Sequence, residues 1–264
     1  MNRKTEAFGR LLGIMDELRE KCPWDKKQTM ESLRHLTIEE TYELAESILE
    51  NNPDKIKKEI GDLLLHVVFY ARIASEKNQY DIADVINSLC DKLIHRHPHI
   101  YGDVKVKDEH EVKQNWEKLK LLEGAPAETG KNKSVLDGVP GAMPSLIKAM
   151  RIQEKARATG FDWDEPQQVW NKVVEELDEF RRETAIENFD KKKAKNEFGD
   201  LLFSLINYSR FIDINPDEAL ELTNIKFIRR FKFLESAALA SGKKLEEMTL
   251  AEMDVFWNKA KASE

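Results

Sequence analysis

Apolar residues recur along almost the whole chain at intervals of three and four, the spacing of one face of an α-helix. Reading these stripes gives helices near 5–20, 38–50, 53–77, 81–96 and 109–122, and then near 145–158, 166–187, 189–212, 216–240 and 250–262. Boundary residues fit several of them. Thr37-Ile38-Glu39-Glu40 reads as a capping box opening the second helix. Asn52-Pro53 offers an N-cap followed by a proline at the first helical position. Thr249 and Glu252 have capping-box spacing before the last helix, and Pro98 stops the one that runs to 96. No period-two alternation stands out, so the expected class is all-α.

One segment interrupts the helical pattern. Residues 123–145 read EGAPAETGKNKSVLDGVPGAMPS and hold four of the eleven glycines and three of the eight prolines. That composition marks a linker. It divides the chain into an N-terminal helical domain (1–122) and a C-terminal one (146–264). The flanking halves share five landmarks in the same order, at offsets of 134 to 141 residues. Trp24-Asp25 matches Trp163-Asp164, and Glu39-Glu40-x-x-Glu43 matches Glu175-Glu176-x-x-Glu179. Glu59-Ile60-Gly61-Asp62 matches Glu197-Phe198-Gly199-Asp200. Lys92 and Arg96 match Lys226 and Arg230, and Trp116 and Lys120 match Trp257 and Lys261. A period this long is a tandem duplication rather than a solenoid.

Composition narrows the class. The chain is 41% hydrophobic and 34% charged, with a net charge of −7. A general nucleic-acid binder carries a basic surplus, so none is expected as a partner. Cys22 and Cys90 are far apart and read as free thiols of a reducing cytoplasm. Glu6 interrupts the N-terminal apolar stretch, so no signal peptide is expected. The longest uncharged apolar stretches, 63–71 and 201–209, fall short of a membrane span and each end in an arginine, Arg72 and Arg210.

The acidic residues carry the candidate chemistry. At about 100° per residue, Glu175, Glu176 and Glu179 fall within one ~100° arc of their helix. Glu197 and Asp200 lie about 60° apart on the next. Val173, Val174, Leu177, Leu201 and Leu202 place both groups at the edge of a core. Pairing the two helices brings four or five carboxylates together, and their repulsion calls for a cation. All-oxygen ligands suit Mg²⁺ or Mn²⁺, and carboxylate-held Mg²⁺ usually works with phosphates. Gly61 and Gly199 sit mid-helix, where glycine costs about 1 kcal/mol relative to alanine; a close helix approach is the expected reason.

Cations stand at helical spacing from these acids. Lys172 precedes Glu176 by four and Lys193 precedes Glu197 by four. Lys226 and Arg230 are one turn apart, as are Trp257 and Lys261. In isolation each is a surface ion pair; around a metal they supply the charge a polyphosphate needs. Trp257 reads equally as a base-stacking residue or as an anchor of the last helix. The run His95-Arg96-His97-Pro98-His99 has no convergent metal spacing and reads as a loop, and the second half has no His or Cys.

Assembled, these residues resemble the MazG family of bacterial nucleoside triphosphate pyrophosphohydrolases over nearly the whole length. EExxE followed by ExxD on the next helix is the mark of the all-α NTP pyrophosphohydrolase superfamily, and both halves carry it. The CPWD at 22–25 and RHPH at 96–99 resemble the first domain of MazG proteins. The resemblance implies cleavage of an NTP to NMP and pyrophosphate by water, a broad choice of base, Mg²⁺ as cofactor and a homodimer. It implies Glu176, Glu179, Glu197 and Asp200 as metal ligands, with Glu175 and Glu176 catalytic. It implies Lys172, Lys193, Lys226, Arg230, Trp257 and Lys261 as substrate-binding residues. A second possible site in the first half comprises Glu39, Glu40, Glu43, Glu59, Asp62, Lys92 and Arg96.

The halves differ. Leu36 stands in the first where Lys172 stands in the second, so the first pocket is expected to lack one cation and the second to carry most of the activity. Rival readings are a narrower enzyme, resembling all-α dUTPases or phosphoribosyl-ATP pyrophosphatases, and a non-catalytic nucleotide-binding or protein-interaction module.

Overall fold

A computed structural model of the chain describes residues 2–108, 111–112, 115–116, 119 and 134–263. No strand occurs among the described residues. The chain divides into two compact units, Met1–Val112 and Lys113–Glu264.

The first unit comprises α1 (Arg3–Lys21), α2 (Met30–Leu49), α3 (Pro53–Glu76), α4 (Ile82–Arg96) and the single turn α5 (Pro98–Tyr101). Asn52 caps α3 through the Lys55 amide with Pro53 behind it, as the sequence predicts. Asp81 and Asp84 cap α4 reciprocally. The core is Met15, Leu33, Val68, Phe69 and Ile73, contributed by α1, α2 and α3. Burying each such side chain is worth about 1.5–3 kcal/mol. Arg19 ties the far ends of α1 and α3, donating to Glu76 at 2.7 and 2.9 Å, and also bonds the carbonyls of Asp25 and Gln28.

Two sequence expectations fail here. Helix α2 starts eight residues before the expected 38, at a reciprocal box between Thr29 and Ser32. Thr37 is therefore interior, and its hydroxyl bonds the Leu33 carbonyl one turn back instead of capping anything. The glycines Gly61 and Gly199 have open space where a Cβ would stand, so no close helix approach among the described residues explains them. The expected helix 109–122 and the linker stretch 123–133 lie largely outside the described residues.

The second unit comprises α6 (Ser145–Arg157), α7 (Pro166–Thr184), α8 (Lys191–Phe211), α9 (Pro216–Ala240) and α10 (Leu250–Ala262). Helices α7 and α8 form an antiparallel hairpin. Trp170 near the start of α7 meets Tyr208 near the end of α8 at 4.8 Å between ring centroids, and Phe180 meets Phe198 at 5.3 Å at the other end. Helix α7 ends at Thr184 rather than 187, because Asn188 turns the chain at positive φ and Asp190 caps α8. Helix α6 lies on α8, where buried Gln153 donates to the Phe203 carbonyl at 2.8 Å. Thr249 and Glu252 form the predicted capping box of α10. No described helix is long and apolar enough to cross a membrane.

Candidate active site

Lys172, Glu175, Glu176 and Glu179 share one face of α7, as their spacing dictates. Val169 and Val173 on the same helix are buried, which turns Glu176 inward until it is only 6% exposed. Across the hairpin, α8 presents Glu197, half-buried, and Asp200, exposed. Glu176, Glu197 and Asp200 each place a carboxylate oxygen within 4.8 Å of the others, and Glu175, Glu176 and Glu179 form a second such group. Burial pushes the Glu197 carboxyl above its ordinary range, and the charges of Glu179, Asp200 and Glu176 push it further. Carboxylates held this close are relieved by a hard divalent cation, and the donor set is all oxygen. The residues therefore fit Mg²⁺ or Mn²⁺.

Lys172 and Arg182 are cations already at these acids, Arg182 lying 3.6 Å from Glu179. The Lys172 ammonium lies 2.9 Å from Glu175 and 2.6 Å from Glu176, and those bonds hold it above the usual lysine range. Beside Lys172 opens a cleft lined by Trp163, Val169, Lys172, Glu176, Asp200, Phe203, Ser204 and Asn207. Of the sequence-nominated residues, only Lys172, Glu176 and Asp200 line it. Lys193 is exposed and makes no ion pair among the described residues. Lys226, Arg230, Trp257 and Lys261 stand on the α9–α10 pair and do not line the cleft. There the Trp257 ring packs 5.1 Å from Phe227, with the Arg230 guanidinium 5.8 Å from the indole. This packing fits the reading of Trp257 as an anchor of the last helix.

Trp163, Ser204 and Asn207 were not nominated. The sequence signal for Asn207 is indirect: the apolar stretch that contains it ends in Arg210. That guanidinium donates to both oxygens of Asp162, at 2.8 and 2.6 Å, and to Asn207 Oδ1 at 2.8 Å. Asp162 is held below the usual aspartate range by this pairing and by the Trp163 amide, against the opposing effect of its burial.

The first unit repeats the acidic frame. Glu40, Glu59 and Asp62 converge within 4.8 Å, with Glu40 pushed up by burial and by Asp62, Glu43 and Glu59. Glu39 is exposed and Glu43 half-buried. The expectation of one cation fewer fails here, because Lys58, which has no counterpart in the second half, lies 3.1 Å from Glu59 and 3.5 Å from Asp62. Lys92 is exposed on α4 and Arg96 half-buried at its end. Beyond the acids this half closes. Thr37 Oγ1 lies 2.9 Å from His66 Nδ1 and 2.6 Å from the Tyr70 hydroxyl, and Phe69 fills the core.

Two adjacent helices offering converging carboxylates, with an embedded lysine and a cleft beside them, form an acidic, metal-type cluster on an all-α scaffold. Residues 28–101 match the family described as the MazG nucleotide pyrophosphohydrolase domain. A protein from Thermotoga maritima named nucleoside triphosphate pyrophosphohydrolase/pyrophosphatase MazG is 45% identical over 260 residues, 97% of this chain and 96% of that protein. The Escherichia coli K12 nucleoside triphosphate pyrophosphohydrolase is 38% identical over 97% of both chains. The uncharacterized protein YabN of Bacillus subtilis is 45% identical over 97% of this chain, which spans 52% of that longer protein. The chain belongs to the MazG family.

Proposed function

We propose that the chain is a Mg²⁺-dependent nucleoside triphosphate pyrophosphohydrolase, cleaving NTPs across the common bases to NMP and pyrophosphate. The observation that carries this reading is the convergence of Glu176, Glu197 and Asp200 beside Lys172 and an open cleft, in a chain 45% identical to a protein of that name. Glu176, Glu179, Glu197 and Asp200 would hold the ion, which when bound polarises the phosphoryl group and activates water. Glu175, exposed on the same face and within reach of Lys172, takes the proton of the attacking water. Lys172 exchanges its carboxylate partners for phosphate oxygens, a charge-assisted bond of the same kind.

Lys193, Lys226, Arg230 and Lys261 supply the remaining positive charge, and Trp257 closes the pocket. For this the α9–α10 pair must approach the acids, and a homodimer is the reading that brings it there. The large apolar side chains of Phe198, Leu202, Phe227, Ile228 and Phe231, each more than a third exposed, support such an assembly. The second half is the main catalyst in this reading, and the site is cytoplasmic.

The test is product identification. Purified protein is incubated with each NTP and Mg²⁺, products are separated by chromatography, and mass is measured by sedimentation. NMP with equimolar pyrophosphate from a dimer is the expected result. NDP with orthophosphate overturns the reaction, and a monomer at full activity overturns the assembly.

A further inference from the structure

The cleft beside the acids contains an amide that the proposed chemistry does not use. Asn207 is only 5% exposed yet lines the opening. Its Oδ1 accepts from Arg210 at 2.8 Å, and Arg210 is itself clamped on both oxygens of Asp162. A guanidinium only donates, so the amide oxygen must face it and the NH2 must face away. Among the described residues Nδ2 has no hydrogen-bond partner. The second half therefore presents an oriented amide donor that faces its cleft.

Position says which part of a ligand meets it. Asn207 lies seven residues past Asp200 on α8, about 10.5 Å along the axis at ~1.5 Å per residue. With the scissile phosphates at Glu176, Glu197 and Asp200, that distance reaches across the sugar to the base. Trp163, whose amide bonds the same Asp162 that clamps Arg210, walls the same cleft and gives a base a flat apolar face.

We propose that Asn207, oriented by Arg210 and Asp162, reads a carbonyl oxygen on the base edge, so that nucleotides with a 6-oxo purine or 4-oxo pyrimidine are preferred over their amino counterparts. An inward NH2 pairs with the oxygen of hypoxanthine, guanine, uracil or thymine and meets a second donor in adenine or cytosine. The inference rests on the proposed pyrophosphohydrolase site. The first half has no equivalent, because Phe69 stands where Asn207 does.

The test compares pairs that differ chiefly at that edge: ITP against ATP and UTP against CTP for kcat/KM, and IMP against AMP for Kd by calorimetry. One well-made hydrogen bond corresponds to a preference of roughly tenfold for the oxo member. Asn207→Leu brings both ratios to near one. Asn207→Asp, nearly the same shape, keeps one oxygen on Arg210 and turns the other inward as an acceptor, so it inverts the preference. Melting temperature checks that each variant folds. Hydrolysis with ratios near one, or ratios unchanged in both variants, overturns the reader and leaves the enzyme standing. No hydrolysis of any triphosphate, with IMP still bound tighter than AMP and Asn207→Asp reversing the order, overturns the enzyme and keeps the reader. Neither hydrolysis nor discrimination overturns both.

Discussion

The two halves of this chain hold the same carboxylate frame but differ in what surrounds it. In the first, α3 is deeply buried: His66, Val68, Phe69, Ala71, Ile73 and Ala74 all lie inside. In the second, α8 buries Ala194, Leu201 and three polar residues, Ser204, Asn207 and Ser209. Ser204 stands for His66, Asn207 for Phe69 and Lys172 for Leu36. One half has packed its helices against each other at the end of the acid ladder. The other has kept a polar opening there. A shared acidic motif therefore specifies a place for a cation but not what lies next to it.

The sharpest way to break this comparison is kinetic. Glu176→Gln is expected to lower kcat at least 100-fold, since a ligand and its charge are both lost. The double variant Glu40→Gln/Glu59→Gln should retain most of the rate. The reverse pattern in pyrophosphate release would move the catalyst to the first half.

Stability should separate the halves next. Leu33 is 1% exposed in the first core, and Leu33→Ala should cost about 2–5 kcal/mol through the cavity it leaves. Urea unfolding followed by hydrogen exchange should show that loss in the first unit alone. Equal loss of protection in the second unit would mean the two unfold together.

A smaller effect depends on pH. Burial lowers the His66 pKa below its ordinary 6.5, while nearby Asp62 opposes the shift. The folded state therefore binds this proton less readily than the unfolded one. His66 costs nothing above about pH 6.5, and stability falls as pH drops below that value towards the folded pKa. Denaturation at pH 7.5 and 5.5 should show a larger drop in wild type than in His66→Gln. Parallel drops would remove His66 from the account.

The smallest expected effect concerns the helix glycines. With open space at the Cβ positions, Gly61→Ala and Gly199→Ala should each stabilise by up to about 1 kcal/mol. A lower melting temperature for Gly199→Ala in the assembled protein would show that a second copy packs against that spot.

Most of this architecture was legible from residue spacing. The periods placed α3, α4, α9 and α10 within a residue or two, and the signals at Asn52-Pro53 and Thr249 marked the starts of α3 and α10. The start of α2 was misread because Thr37-Ile38-Glu39-Glu40 satisfies the same spacing rule as the true box at Thr29, and spacing alone does not rank them. The acids were legible because the helical period and carboxylate repulsion both act locally. Lys58 was missed because pairing the halves position by position hides a cation that only one of them has. Asn207 and Trp163 were missed because each depends on a long-range contact: Arg210 is 48 residues from Asp162.

Arg72 and Arg210 occupy matching positions, yet each has recruited different acids. Arg72 pairs with Asp16 and Glu76, bracing α1 against α3, whereas Arg210 holds a loop aspartate and an asparagine beside the cleft. Converting the first into the second would require an acid at Pro23, a lysine at Leu36 and an amide at Phe69. Phe69 is 3% exposed in the principal core, where truncating a phenylalanine to alanine costs about 3–5 kcal/mol. Grafting the second half's cleft onto the first would therefore begin by removing part of what keeps that half folded.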